Sequence, residues 1–505
     1  MTTLVPRAPY TSQELAALYP NDLELQQVQV ILRHGERTPV NARFKNAGLP
    51  AYWPYCTAAQ QMRSAVMSAD GSWDTMQWRR RLETFERQVD ASATDDPTLA
   101  KGLKGEFQTV CQSGELTDRG RQTTTALGQR LRGLYVSQLG FLPEVIDSGA
   151  ASSVYLRSTP IPRALESAQQ AFTGLYPQNQ RAADFPTPVI VARAFQDETL
   201  YPNEGACKRF AELAKAFANR AAEIWNPSPE LAYVNKKIGK WMPADSPVAA
   251  VDSHPRLSGI MDTINATLAH GAATKLPKEF YDEKLVANVD RVCTEEWFAG
   301  YTMSNEYRKL GIGGLVGDVV QNMVKRTQNE GFKISLNGCH DTTLAALLAS
   351  LGAYDVEKDK WPPYTSSIAV ELFKSRSSPT TPAATAPSGA VWPSKEKTWW
   401  YLLFSPSSTS QSSSSTRKPL AEMSSTEQAS LENYYVRLRY NDRPVAIPFC
   451  KVTGRHRVGD ESFCTLAAFK EAADSFTPAD WKKECNSNLG APAMLGEEVE
   501  KPPGL

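Results

Sequence analysis

No apolar run in the 505 residues approaches the length of about 20 needed to span a bilayer. Met1 to Asn21 contains no hydrophobic core of the kind a cleaved secretory signal requires. Residue 2 is threonine, which excludes myristoylation, and Lys501-Pro502-Pro503-Gly504-Leu505 is no recognised address. The expectation is a cytoplasmic protein, with the acid-free stretch 1–13, bearing Arg7 and several threonines, leaving a mitochondrial address as the alternative. Excess charge is lacking too. Lys plus Arg and Asp plus Glu number 55 each, so bulk charge steers the chain neither to nucleic acid nor to an anionic surface. Any positive potential has to come from placed arginines.

The cysteines lack pattern rather than number. Positions 56, 111, 207, 293, 339, 450, 464 and 485 contain no C-x-x-C pair and no zinc spacing. Without a secretory signal, reduced thiols are expected, and the even count leaves disulfides open. None of the eight is followed six positions later by arginine, as a cysteine phosphatase requires. Histidine is scarce: there are five, and His254, His270 and His456 are too scattered to build a dinuclear metal site, so they read as ordinary surface or satisfied residues. No metal and no organic cofactor is implied. No internal repeat is visible.

What is present is concentrated at two places. Val28, Val30 and Leu32 alternate with Gln29 and Ile31, a buried strand, and the run stops at Arg33-His34-Gly35-Glu36-Arg37-Thr38-Pro39. Gly35 permits a tight turn and Pro39 opposes continuation as a helix. Two guanidiniums flanking one imidazole at a strand's carboxyl end suit an oxyanion held beside a nucleophile. A surface loop with incidental charges is the plain alternative. The layout recurs at Lys333 to Thr343, where a short strand and a glycine turn lead into His340-Asp341, and Ala345, Leu347, Leu348 and Leu351 mark the helix beyond. The pairs lie 306 residues apart (340 − 34), so only a fold unites them.

Arg33-His34-Gly35-x-Arg37-x-Pro39 with a distant His340-Asp341 resembles the histidine acid phosphatases of the phosphoglycerate-mutase-like superfamily. The resemblance runs from about Gln26 to Cys485 and includes Gly114-x-Leu116-Thr117-x-x-Gly120 and Val154-Tyr155-Leu156-Arg157-Ser158-Thr159. It implies an α/β fold: a three-layer α/β/α core with a mixed, mostly parallel sheet, plus a helical cap made of insertions. The expected catalytic domain spans 22–490, with core at about 24–48, 110–200, 306–374 and 398–450 and cap insertions at about 50–108 and 201–305. Segments 375–397 and 405–429, rich in Ser, Thr, Pro and Ala, read as surface loops flanking a strand at 398–404. Residues 1–21 and 491–505 read as tails.

Locally, Thr117 is the N-cap of a helix whose buried stripe is Leu127, Leu131, Leu134 and Tyr135. Pro160 and Pro162 open a second helix. Phe210, Leu213, Phe217, Ala221 and Ile224 form the apolar stripe of a cap helix. Residues 434–440 and 445–447, joined at Asn441-Asp442, predict a hairpin.

The resemblance assigns His34 as nucleophile, Arg33, Arg37 and Arg157 as phosphate ligands, His340 as a further phosphate ligand and Asp341 as general acid and base. For Arg157 a strand-end salt bridge is the alternative role. Asp341 has to be protonated when substrate arrives, so activity is expected to rise toward mildly acidic pH. The implied partner is a small phosphomonoester, and secondary features such as Leu200-Tyr201-Pro202-Asn203 and Trp361-Pro362-Pro363 are similar to the lysophosphatidic acid phosphatases. Phytases share the catalytic pairs, and a catalytically silent phosphate-binding protein is the rival from another class. Oligomeric state is not legible.

Overall fold

The computed structural model describes residues 8–85, 97–355, 359–376 and 417–493. Its centre is a mixed sheet of nine strands. In chain order they are β1 (Leu23–Arg33), β2 (Val154–Ser158), β3 (Ile190–Val191), β4 (Ile334–Cys339), β5 (Ser367–Ser375), β6 (Tyr434–Tyr440), β7 (Arg443–Val445), β8 (His456–Arg457) and β9 (Asp460–Thr465). They lie in the order β8-β9-β6-β5-β1-β4-β2-β3, with β7 beside β6. β1, β4, β2 and β3 are parallel. From β5 onward every pairing is antiparallel. The sheet is mixed as expected, and this antiparallel half is larger than the sequence suggested.

Strand alternation decides the layers. Val28, Val30, Leu32, Leu156 and Leu336 pack on one face against α1 (Asp118–Arg132) and α2 (Pro162–Leu175). Ile31, Ile368, Val370 and Leu372 pack on the other, against α7 (Gly314–Thr327) and α8 (Asp341–Ser350). Gln27 and Gln29, also on that second face, are buried but not wasted: their side-chain amides donate to backbone carbonyls of α7 at Val319 and Asn322. Thr117 caps α1, its hydroxyl accepting from Gly120 N–H at 3.3 Å.

Four helices form the cap: α3 (Lys208–Trp225), α4 (Pro229–Ile238), α5 (Leu257–Ala269) and α6 (Glu283–Met303). They enclose a second apolar core that also takes in Phe44, Leu49 and Trp53, directly after the catalytic loop. The other insertion contains no α-helix among its described residues. Met62–Met67 pairs with Trp73–Trp78 in an antiparallel hairpin turned at Asp70-Gly71, and Glu83–Thr84 pairs with Thr98–Leu99. The aromatic and charged content of 50–108 masked the turn signal there.

Further corrections follow from contacts that no local pattern reveals. Six cysteines pair as Cys56–Cys111, Cys207–Cys485 and Cys450–Cys464, with Cα separations of 5.1, 4.7 and 5.2 Å. Cys293 and Cys339 stay free and buried. The expected N-terminal tail is, in its described part, packed against the sheet: after the helix Ser12–Leu18, Tyr19 donates to the buried Glu371 at 2.6 Å, and Tyr10 meets Arg439. Beyond residue 450, β8, β9 and α9 (Leu466–Asp474) extend the core. The strand expected at 398–404 lies outside the described residues, as do segment 375–397 from residue 377 and segment 405–429 up to residue 416. No described helix is long and apolar enough to cross a membrane.

Candidate active site

β1 and β4 are parallel neighbours with Arg33 in register with Cys339, so their carboxyl ends deliver His34 and His340 to one place. The two imidazole centroids are 5.5 Å apart. The 306-residue interval is closed by strand pairing. The main chain fixes the loop further: His34 N–H donates to Cys339 carbonyl at 3.0 Å, and Thr365 N–H donates to His34 carbonyl at 3.1 Å.

Gly35 is required for close approach rather than for a turn. A Cβ there would stand 2.3 Å from the carbonyl oxygen of Gly120, and one on Gly120 would stand 2.2 Å from that of Glu36. The loop and the first turn of α1 touch backbone to backbone, a contact that no side chain fits.

His34 is 1 % exposed, with Nδ1 2.9 Å from the carbonyl of Gly35. A carbonyl only accepts, so Nδ1 carries the proton and Nε2 keeps its lone pair. Burial, then the positive charges of Arg163, Arg33 and Arg37, hold the imidazole pKa well below its ordinary value. His34 is therefore neutral in mild acid.

Asp341 is the first residue of α8, where the helix N-terminus favours an anion. Its Oδ2 meets Arg33 Nη2 at 2.7 Å and the indole N–H of Trp361 at 3.0 Å, and Oδ1 accepts from Thr342 N–H at 2.9 Å. Although burial opposes ionisation, these partners, Arg33 foremost, bring the pKa down to about 2. The carboxyl is thus ionised before substrate arrives, contrary to the sequence expectation. His340, 7 % exposed, places Nε2 3.2 Å from Thr159 Oγ1, and burial with the Arg163 charge lowers its pKa to about 3.

Arg33 stacks its guanidinium 4.2 Å from the Tyr364 ring centre and also donates to Pro362 carbonyl. Arg37 bonds through Nη1 to Asp262 Oδ1 at 2.7 Å and to its neighbour's carbonyl, Thr38, at 3.1 Å. Arg157 is elsewhere. It follows Leu156, which faces α1 and α2, so alternation turns Arg157 to the opposite side of the sheet. There it meets Glu198 at 2.5 Å, Asp318 at 3.3 Å and Thr199 at 3.0 Å. Its guanidinium is committed to buried carboxylates, the salt-bridge role that the sequence left as the alternative.

The third cation of the site is Arg163, in the first turn of α2. It ranks first among the charges acting on both His34 and His340. Among the described residues its guanidinium has no hydrogen bond and no carboxylate within ion-pair distance, and burial with the Arg37 charge lowers its pKa to about 10. The signal was present in the sequence, since Arg163 stands six residues after Arg157 in the same block, where a helix start points it back to the strand ends. The Nε atoms of Arg33, Arg37 and Arg163 are all buried without a hydrogen-bond partner. Three orphaned donors around a neutral imidazole are costly unless an anion completes them.

Two of the other histidines are satisfied structurally. His270 bonds Ala266 carbonyl at 2.7 Å and Thr117 Oγ1 at 2.9 Å, and His456 bonds Cys450 carbonyl at 2.8 Å. Among the described residues no group of three or more His, Cys, Asp or Glu side chains is arranged to hold a metal ion.

Comparison with known proteins identifies the family. The model of the histidine phosphatase superfamily, branch 2, matches residues 24–399. A probable acid phosphatase of Schizosaccharomyces pombe is 37% identical over 472 residues, covering 92% of this chain and 95% of its own. The lysophosphatidic acid phosphatase type 6 of Bos taurus is 26% identical over 377 residues, 71% of this chain and 76% of its own. Among solved structures, Klebsiella phytase superposes with a TM-score of 0.50 at 14% identity, covering 92% of this chain and 98% of its own. The multiple inositol polyphosphate phosphatase of Bifidobacterium longum gives 0.51 at 11%, covering 94% and 97%. At such identities the structures speak for the fold alone. The chain belongs to branch 2 of the histidine phosphatase superfamily and is an acid phosphatase of the histidine type.

Proposed function

We propose that His34 is the nucleophile of a phosphomonoester hydrolase in which Arg33, Arg37, Arg163 and His340 hold the phosphoryl group. The observation that carries this is a buried, neutral His34 with its Nδ1 proton bound to Gly35, beside three arginine Nε donors that lack partners. Nε2 attacks phosphorus, the P–O bond to the leaving group breaks, and the leaving oxygen takes a proton from Asp341. Asp341 then accepts a proton from the water that attacks the phosphohistidine, releasing phosphate and free His34. Because Asp341 is ionised in the free enzyme, its proton arrives with substrate. A phosphate that engages Arg33 weakens the Arg33–Asp341 pair and sets a second anion beside the carboxylate, and both changes raise its proton affinity. Activity favoured by mild acid follows.

For the substrate, a cavity of about 450 Å³ between cap and core favours an amphiphile over a highly charged molecule. Val286, Ala287, Trp361, Pro363 and Tyr364 give it an apolar wall, and Arg33, Asp290, Asp359, Lys360 and Arg443 also line it. A lysophosphatidate-like monoester, its apolar chain against that wall, fits this chemistry better than a polyphosphorylated inositol, which would meet Asp290 and Asp359. The disulfides support folding in an oxidising compartment rather than in the cytoplasm.

The test is rapid acid-free quenching of turnover with phosphorus-labelled aryl phosphate. An acid-labile, base-stable label that His34→Ala abolishes is expected. A label that survives this substitution in folded protein refutes the assignment. A panel of lysophosphatidate against inositol hexakisphosphate, compared by kcat/KM, decides the substrate class.

A further inference from the structure

Arg37 belongs to the core loop, but the group that orients it comes from the cap. Asp262, on α5, gives Oδ1 to Arg37 Nη1 at 2.7 Å. Its Oδ2 accepts from Val40 N–H at 3.0 Å and from Arg43 Nη1 at 3.4 Å. One carboxylate, its side chain 12 % exposed, thus holds positions 37, 40 and 43 of the loop that follows the nucleophile. Arg43 lies flat against α5 because position 259 is glycine: a Cβ there would stand 2.9 Å from the guanidinium carbon. The Arg37 guanidinium is anchored by its Nη1 atom, and its Nε has no partner in the protein. A fork fixed in this way keeps its free donor in one orientation, whereas a fork tethered only by its own flexible stem does not.

We propose that Asp262 is a positioning residue for catalysis: it acts through Arg37, and it makes the seating of the cap a condition for a complete phosphate site. The proposal rests on the role of Arg37 as a phosphate ligand. Asp262 touches no reacting atom. Its carboxylate neutralises one of the three arginines and takes the Nη1 end of Arg37, which leaves the Nε to the ligand.

The test is a double-substitution cycle on turnover of an aryl phosphate, with rates expressed per active site counted by trapped phosphoenzyme. Counting removes the effect of misfolded or cap-displaced molecules, which lose label without changing the rate of those that remain. Asp262→Asn keeps an acceptor for Val40 N–H and loses the anion. It is expected to lower kcat per labelled site by about 10- to 100-fold, the scale of a misplaced catalytic group. Asp262→Glu, which keeps the charge, is expected to recover much of that rate and stands in if the Asn variant does not fold. In an Arg37→Ala background, either Asp262 substitution is expected to cost little more. Undiminished loss in that background overturns the proposal, as does an Asp262→Asn enzyme with the rate of the parent. Arg37→Ala with unchanged turnover would instead remove the phosphate role of Arg37, and this inference with it.

Discussion

Arg157 and Arg163 stand six residues apart, and the structure gives them opposite jobs that one pair of substitutions separates. Arg157 is 4 % exposed and compensates Glu198, which is fully buried, at 2.5 Å. Removing one partner of such a pair costs about 3–5 kcal/mol, because the remaining charge is stranded out of water. Glu198 also accepts backbone N–H groups of Thr199 at 2.8 Å and Leu200 at 2.7 Å, which places Arg157→Ala at the lower end, about 3 kcal/mol. That is a large part of the 5–15 kcal/mol that typically stabilises a domain. Arg163 has no protein partner to strand, so Arg163→Ala leaves stability unchanged or raised. On its proposed role it removes a charged hydrogen bond to phosphate, worth about 1.5–3 kcal/mol, which is about 10- to 150-fold in kcat/KM. Urea unfolding of both variants, with steady-state hydrolysis and inhibition by inorganic phosphate, reads both effects. The expected pattern is an unstable Arg157→Ala enzyme whose folded fraction still binds phosphate, and a stable Arg163→Ala enzyme that binds it poorly. The inverse pattern would refute the placement of both residues.

Three further outcomes are expected. Trp361→Phe removes the indole donor from Asp341 Oδ2, so the carboxyl pKa rises from its value of about 2; since Asp341 has to carry a proton, the alkaline limb of the kcat profile moves up by about one pH unit, and an unmoved limb would refute the link. His340 is held neutral with a pKa lowered to about 3, so below about pH 6.5 the unfolded chain takes up a proton that the folded one does not. Its contribution to stability is therefore lost as pH falls from 6.5 toward 3, at about 1.4 kcal/mol per pH unit, whereas that of Asp341 persists until pH drops below about 4. His340→Asn should show a shallower fall of Tm between pH 7 and 4.5 than the parent, and parallel curves would contradict the assignment. Non-reducing peptide mapping should find the three cystines and free thiols only at Cys293 and Cys339, with reduction lowering Tm by the loss of about 2–5 kcal/mol per bond; eight free thiols in fully active enzyme would overturn the pairing.

The sequence by itself determined what depends on local pattern. Alternation at Val28 to Leu32 assigned β1 and its faces, Thr117 announced a helix start, and Asn441-Asp442, both at positive φ, announced the hairpin between β6 and β7. The Arg-His-Gly and His-Asp segments marked the proposed nucleophile and acid because each sits whole at a strand end. What the tertiary structure decided involves groups brought together from distant segments. The choice of Arg163 over Arg157 depends on which sheet face a strand residue takes and where the next helix begins, while both positions carry the same side chain. The ionised state of Asp341 depends on Arg33 and Trp361, and the orientation of Arg37 on Asp262, 225 residues away. The cystines join positions 55, 278 and 14 residues apart, and proximity of that kind leaves no trace in spacing. Chemistry was legible where one segment supplies it; charge balance and partner choice were fixed only by packing, since they are properties of neighbours in space.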